Sequence, residues 1–172
     1  MDAGLLMARV IVGALMAAHG SQKLFGWFRG YGVAGTGGFF ENLGFRPGQV
    51  FAALAGLAES GGGTLFALGL CEPVAAALVL SVMIVAAGSV HWGNGLLATS
   101  NGLELPLLYG GVVIALTLTG SGAYSLDTAL GLGALWTPAL KAGVLAAGLT
   151  GGLANLLIRR PASQPARAQE RA

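Results

Sequence analysis

The sequence predicts an all-α fold, a polytopic bundle of transmembrane helices with a four-helix core and a fifth, C-terminal helix. Of the 172 residues, 55% are hydrophobic and only 9% are charged, whereas an average soluble protein has about 25% charged residues. The mean hydropathy is +0.74. This composition excludes a disordered chain, which would be polar and charged. It also leaves too little polar surface to cover a soluble globular domain.

Five apolar stretches approach the length of about 20 residues that a helix needs to cross a bilayer. They cover residues 4–25, 49–70, 73–91, 105–120 and 139–158. Pro73 opens the third stretch, at a position where a helix tolerates proline. The fourth stretch is short, and we expect its helix to extend back to Asn101 or Gly102. The first stretch lacks a basic leader, so we expect a retained helix and not a cleaved signal peptide.

The link over residues 26–48 is long, with too many glycines for one regular helix. It also carries aromatic side chains that suit the membrane–water interface, namely Trp27, Phe28, Tyr31, Phe39, Phe40 and Phe45. We expect this link to fold back on the bundle, with a short helix near residues 37–43. The link between the second and third stretches is nearly absent, so those two helices must form an antiparallel hairpin.

The predicted organisation has three parts. Residues 1–130 form a transmembrane bundle, residues 131–158 supply the additional C-terminal helix, and residues 159–172 form a disordered polar tail rich in proline and alanine. Small residues follow one stripe of the second stretch and recur along the fifth, where Gly148 and Gly152 form a GxxxG motif. Such residues allow helix backbones to approach closely in lipid.

Basic residues lie only near the two ends of the chain, with none between Arg46 and Lys141. No basic stripe runs along one face, so a nucleic-acid partner is not expected. The partner that the composition predicts is the lipid bilayer of the cell membrane. Basic flanks favour the cytoplasm, which predicts a cytoplasmic loop at Arg29 and Arg46 and an external N-terminus. We expect Arg9 to extend towards the headgroups, and the single cysteine, Cys71, to be a buried small residue.

Polar side chains that interrupt the apolar stretches are the candidate functional residues, because ionisable groups in a membrane are costly. Three of them share one face of the first helix, since they are spaced by three and four residues. Alternating helix direction puts the ends of the first and third helices on the same side as the starts of the second and fourth. The candidates, which we expect to converge on one pocket open to that side, are His19, Gln22, Lys23, Glu59, His91, Asn94 and Glu104.

Five short motifs, in order along residues 4–130, resemble those of the DoxX family of small integral membrane proteins. They are HGSQKLFGWF from His19, LAESGG from Leu57, HWGNG from His91, NGLELPLL from Asn101 and GAYSLD from Gly122. The resemblance implies a mainly four-helix membrane protein with both termini in the cytoplasm. It also implies a link to quinone-dependent oxidation, notably as the small subunit of a thiosulfate:quinone oxidoreductase. This chain departs from the family pattern by its additional apolar stretch after Asp127.

The first functional hypothesis is therefore a subunit of a quinone-linked membrane oxidoreductase system. His19 or His91 would donate a hydrogen bond to a quinone oxygen, Glu59 or Glu104 would relay a proton, and Lys23 would complete the catalytic set. Gln22 and Asn94 would help to bind the quinone. The sequence has no CxxC pair, iron–sulfur cysteine set or nucleotide-binding motif, so electrons would come from a soluble redox partner.

Two other hypotheses stand beside the first, and the residues leave open whether the chain is an enzyme. One is a non-enzymatic membrane protein, either a carrier of small solutes or an assembly factor. Internal symmetry or broken helices would favour a carrier, and neither is evident. The other is a metal or haem site on the two histidines and two of the glutamates, although no ExxH motif marks a di-iron bundle. No metal ligand is therefore assigned.

Overall fold

The computed structural model describes residues 1–160, so most of the predicted disordered tail lies outside the described residues. Within this range the chain forms helices joined by turns and loops, without β-strands, which confirms the predicted all-α fold class. The α-helices are α1 (Asp2–Phe25), α2 (Gly32–Asn42), α3 (Gly48–Leu68), α4 (Glu72–Ala86), α5 (Glu104–Thr119), α6 (Leu126–Ala129) and α7 (Pro138–Ile158). A π-helical turn, Ala87–His91, and a 3₁₀ turn, Trp92–Asn94, continue α4.

Four of the helical segments are long and apolar enough to cross a membrane: Asp2–Phe25, Gly48–Leu68, Glu72–Asn94 and Pro138–Ile158. The apolar helix α5 is shorter, with 16 residues. All five segments agree closely with the predicted stretches. We call the end of the bundle where α3 and α5 begin the cavity end, and the opposite end the far end.

The expected extension of α5 back to Asn101 or Gly102 is wrong, because α5 begins at Glu104. Asn101 has a left-handed backbone with φ +60°, which ends a 3₁₀ turn over Ala98–Ser100. The next residues return to the start of their own loop, where the Leu103 amide donates to the Gly95 carbonyl at 3.0 Å. The Glu104 amide donates to the Leu96 carbonyl at 2.8 Å. These bonds replace the helical turn that the sequence favoured.

Helices α1 and α3 pack with their backbones in close contact, because glycines face each other across the interface. A Cβ atom at Gly63 would lie 2.5 Å from the Ala17 amide nitrogen, so no side chain fits there. Gly13 and Gly20 are equally crowded by α3. The predicted stripe of small residues on α3 therefore serves this interface. Gly62, in contrast, faces α4, where a Cβ would lie 3.2 Å from the Ala75 carbonyl oxygen.

Helix α7 packs against α4 through the predicted GxxxG motif. A Cβ at Gly148 would lie 2.6 Å from the Ala77 carbonyl oxygen, and one at Gly152 would lie 2.8 Å from the Ser81 carbonyl oxygen. Close packing of small residues is a general basis of helix association in lipid. The additional C-terminal helix is thus joined directly to the bundle.

The link after α1 folds back on the bundle as predicted, with α2 lying against α3. Gly37 of α2 is buried against Gln49, and the Gly48 amide donates to the Glu41 carboxylate at 3.2 Å. Midway along the bundle the interior is filled with apolar side chains. This core contains Met16, Phe66, Ala75, Ala76, Val79, Leu80, Met83, Val113 and Leu145.

Candidate functional site: a cavity bounded by an ion pair

The Lys23 ammonium and the Glu59 carboxylate form an ion pair between α1 and α3. It is the sole salt bridge within residues 1–160. Gly20 and Gly56 allow the two helices to approach, so that the long Lys23 side chain reaches Glu59 on the neighbouring helix. The Glu59 side chain is only 3% exposed, whereas that of Lys23 is 25% exposed. A buried carboxylate without a partner would be strongly unfavourable, and the Lys23 ammonium supplies that partner inside the bundle.

Both members of the ion pair line a cavity of about 450 Å³ between α2, α3, α4 and α7. Phe40, Phe45 and Phe51 form an aromatic wall, with ring centroids 5.6 and 5.4 Å apart in succession. The other lining residues are Phe39, Leu43, Leu54, Ala55, Ala58, Leu78, Ser81, Val82, Val85, Ala86, Ser89, Val90, His91 and Asn155. The cavity is therefore mainly apolar, with a few polar groups at its margins.

His91 lines this cavity from the π-helical turn at the end of α4. The wider π turn carries Ser89, Val90 and His91, all of which face the cavity. Such turns are rare and frequent at functional sites. The Nδ1 atom of His91 lies 2.7 Å from the Asn101 carbonyl oxygen. Since a carbonyl only accepts, Nδ1 carries the proton, and a neutral His91 ring has only an acceptor, Nε2, left for a ligand.

A second cavity, of about 530 Å³, adjoins the first, because Lys23 and Phe39 line both. Gln22 and Arg29 also line it, together with Gly30, Tyr31, Gly35 and Thr36. The Gln22 amide donates to the Phe28 carbonyl at 3.2 Å, which ties the turn after α1 to the helix. The Lys23 side chain therefore lies between the mainly apolar cavity and this second cavity. We call the second cavity the cationic vestibule, because Lys23 and Arg29 line it.

Three of the predicted candidates lie outside the residues that line the two cavities. His19 is exposed, and its ring lies edge-on to Tyr109 of α5, with centroids 6.3 Å apart. Asn94 donates to the Val90 and Asn101 carbonyls at 3.1 and 3.3 Å. The Glu104 carboxylate accepts from the Ala98 amide at 2.7 Å. Asn94 and Glu104 thus hold the loop between α4 and α5, while Lys23, Glu59 and His91 share one cavity.

The expectation that Arg9 extends to the headgroups is wrong, because Arg9 is only 1% exposed. Its guanidinium donates to the Ser121 carbonyl and, at 2.6 Å, to the Tyr124 carbonyl. Nearby, the Asp127 carboxylate accepts from the Cys71 and Glu72 amides at 2.8 and 3.1 Å. The side chains of Arg9 and Asp127 therefore anchor the loop after α5 at the far end. The GAYSLD motif indicated that this loop matters, but not that Arg9 would reach it.

Ser81 and Asn155 are further polar cavity residues that the sequence did not single out. The only sequence signal for Asn155 is an amide in an apolar helix, four residues after Gly151. No three of the His, Cys, Asp and Glu side chains in the described part of the chain are arranged to hold a metal ion. The metal-site hypothesis therefore has no ligand set within residues 1–160.

The long apolar helices define the class of the protein, a multi-pass helical membrane protein, here with a polar-edged cavity inside its bundle. The DoxX family model matches residues 4–92, slightly more than half of the chain. The chain belongs to the DoxX family, as its motifs predicted. No curated protein and no solved structure matches it significantly. The matched part contains Lys23, Glu59 and His91, whereas α5 and α7 follow it.

Proposed function

We propose that the cavity binds a quinone-type ligand and that the protein acts as a subunit of a quinone-linked oxidoreductase system in the cell membrane. The observation that carries this proposal is the Lys23–Glu59 ion pair at the wall of a mainly apolar cavity. Ligand sites are typically apolar clefts of about 300–1,000 Å³ with a few polar groups that fix orientation. The volume of about 450 Å³ lies in this range.

The ion pair has the chemistry that a quinone head group requires. The Lys23 ammonium offers three N–H donors, and a quinone oxygen is an acceptor. Reduction of a quinone takes up two electrons and two protons, and the buried Glu59 carboxylate is a group that transfers protons. Because a neutral His91 offers only an acceptor, Lys23 replaces the histidines as the expected donor to the quinone. His91 would instead accept a hydrogen bond from the reduced, hydroxyl form.

The surroundings of the cavity support a binding site more than a transport path. Met16, Phe66 and Val79 are fully or almost fully buried and fill the bundle between the cavity and the far end. A carrier needs access to its site from both sides in turn. Electrons would come from a soluble redox protein, since the sequence has a single cysteine and no iron–sulfur set. The cationic vestibule at Arg29 is the expected approach for such a partner.

The proposal is tested by binding of a short-chain quinone to the protein in lipid nanodiscs. Lys23→Met removes the donor, so we expect affinity to fall by about tenfold or more, the effect of one charge-assisted hydrogen bond. Glu59→Gln keeps the shape but removes the proton acceptor, so we expect loss of quinone reduction with the redox partner. Thr64→Val is the matched control, because Thr64 is exposed on the same helix and lies outside the cavity.

Native mass spectrometry of the protein, mildly solubilised from its own membrane, identifies the ligand directly. We expect a bound quinone or a redox-protein partner. If only lipid is bound, and if Lys23→Met and Glu59→Gln behave as the wild type while remaining folded, the quinone proposal is wrong. Assembly or transport roles then become the better explanation of the cavity.

A further inference from the structure

We infer that Ser81 and Asn155 form a second polar contact of the cavity, and that Asn155 selects ligands with oxygen atoms on two opposite edges of an apolar ring. The inference rests on the proposed function, because Ser81 and Asn155 would contact the second edge of the same quinone-type ligand. It concerns α7, which lies beyond the residues matched by the family model.

Ser81 of α4 and Asn155 of α7 both lie close to one glycine, Gly151. The Asn155 amide nitrogen donates to the Gly151 carbonyl at 2.9 Å. The Ser81 hydroxyl lies 3.9 Å from the position that a Cβ atom at Gly151 would take. The neighbouring Gly148 and Gly152 bring the two helices into backbone contact at this level. The two polar side chains therefore occupy one corner of the cavity, where α4 meets α7.

Asn155 has hydrogen-bonding capacity beyond this one bond. A side-chain amide has two N–H donors and an oxygen with two lone pairs, and the bond to Gly151 uses one donor. Within residues 1–160, Asn155 is the sole residue of α7 that lines the cavity. A polar side chain in an apolar membrane helix is unfavourable unless it finds partners. A ligand in the cavity supplies a partner for the remaining donor.

The two polar contacts lie on different walls. Lys23 and Glu59 belong to α1 and α3, whereas Ser81 and Asn155 belong to α4 and α7. Helices α3 and α7 both pack on α4, and the cavity opens between them. The lining contributed by Phe51 and Val82 is apolar. A ring with one carbonyl oxygen could form a hydrogen bond with the polar groups of only one wall. A ring dione or the corresponding diol could form hydrogen bonds with the polar groups of both walls.

The test compares two probes in nanodiscs, a decyl-substituted para-benzoquinone and a decyl cyclohexenone, which is a similar ring with one carbonyl. Asn155→Leu keeps the branched shape of the side chain, with a somewhat larger volume, and removes the amide. We expect it to weaken binding of the quinone by about fivefold to tenfold, the effect of one hydrogen bond. Binding of the monoketone, which is held by Lys23, should change by less than about twofold, so the ratio of the two affinities falls.

Thr150→Val is the matched control, because Thr150 also bonds to carbonyls of α7, at Ala146 and Ala147, but lies outside the cavity. It should leave both affinities unchanged. Ser81→Ala tests the same corner without adding volume, and should also lower the selectivity for the quinone. If Asn155→Leu does not fold, the effect of Ser81→Ala on the ratio of the two affinities tests the inference instead.

An equal loss for both probes, or no loss for either in a folded variant, overturns the assignment of Asn155 and leaves the proposed function intact. A wild-type protein that binds the monoketone as tightly as the quinone also overturns it. A wild-type protein that binds neither probe overturns the proposed function itself, and the present inference with it.

Discussion

Arg9 illustrates, at the scale of single residues, how an apolar bundle accommodates a charge. Its guanidinium is 1% exposed and donates to two carbonyls of the loop after α5. The carboxylates of Glu72 and Asp127 are buried at the same end of the bundle. A buried charge is tolerated only when it is paired and hydrogen-bonded. Arg9 therefore connects the first helix to a loop more than 110 positions later in the chain.

Arg9→Met should lower the free energy of unfolding by about 3–5 kcal/mol, because it removes two hydrogen bonds from a charged donor, each contributing about 1.5–3 kcal/mol, and leaves the Ser121 and Tyr124 carbonyls without that donor. Reversible unfolding in detergent micelles measures this change. Arg29→Met, at an exposed arginine, should change the value by less than about 0.5 kcal/mol. Equal effects of the two arginine substitutions would contradict the assigned role of Arg9.

At the scale of elements, glycine decides which helices can meet. The α1–α3 interface depends on Gly13, Gly20 and Gly63, where a Cβ atom would collide with the partner backbone. This approach brings Lys23 within reach of Glu59. The α4–α7 interface uses Gly148 and Gly152 in the same way. Each polar contact of the cavity thus depends on a glycine-mediated helix pair.

Gly63→Ala should destabilise the bundle by about 1–3 kcal/mol, the usual effect of excess volume in a packed interface. Gly61→Ala is the matched control on the same helix, because a Cβ atom there has no neighbour within 4 Å. Alanine favours the helix over glycine by up to about 1 kcal/mol, so the control should be neutral or stabilising. The same unfolding assay distinguishes the two variants. If Gly61→Ala is as damaging as Gly63→Ala, close packing of α1 and α3 is not the cause.

At the scale of the whole molecule, the two ends of the bundle differ in charge. The exposed or half-buried basic residues of the cavity end are Lys23, Arg29, Arg46, Arg159 and Arg160. Within residues 1–160, the basic side chains of the far end are the buried Arg9 and the half-buried Lys141. Basic residues of membrane proteins favour the cytoplasmic side. We therefore propose that the cavity and its vestibule face the cytoplasm and that the N-terminus is external. The family resemblance implied the opposite orientation, with a cytoplasmic N-terminus and an external cavity end.

Reporter fusions after residues 35 and 165 test this orientation. Position 35 lies in α2 at the cavity end, and position 165 follows α7, which ends at the same end with Ile158. Both fusions should be active only with a cytoplasmic reporter. A fusion after position 123, in the loop at the far end, should be active only with an external one. An external signal at position 35 or 165 would overturn the proposed orientation.

The local pattern of the sequence was sufficient for the helices but not for the fine structure of the loops. Apolar length predicted α1, α3 and α7 to within a few residues, because a membrane span requires a continuous apolar run. The start of α5 was misplaced, since the hydrogen bonds that replace its first turn join Gly95 and Leu96 to the residues before the helix. Such bonds depend on how a loop closes, and hydropathy contains no information on loop closure.

The sequence by itself determined the class of the protein, its helices, its family and the polar residues that are energetically unfavourable within a membrane. Only the tertiary structure decided which of those residues meet. Helix direction and spacing put His19 and Lys23 at the same end and on one face of α1, but packing brings Lys23 to Glu59 of α3 and His19 to Tyr109 of α5. That packing is set by which glycines contact which backbone, and separate glycine contacts between α4 and α7 bring Asn155 to the cavity. The composition of the sequence limits how many charged side chains are buried in the bundle, whereas helix packing decides which of these side chains are in contact.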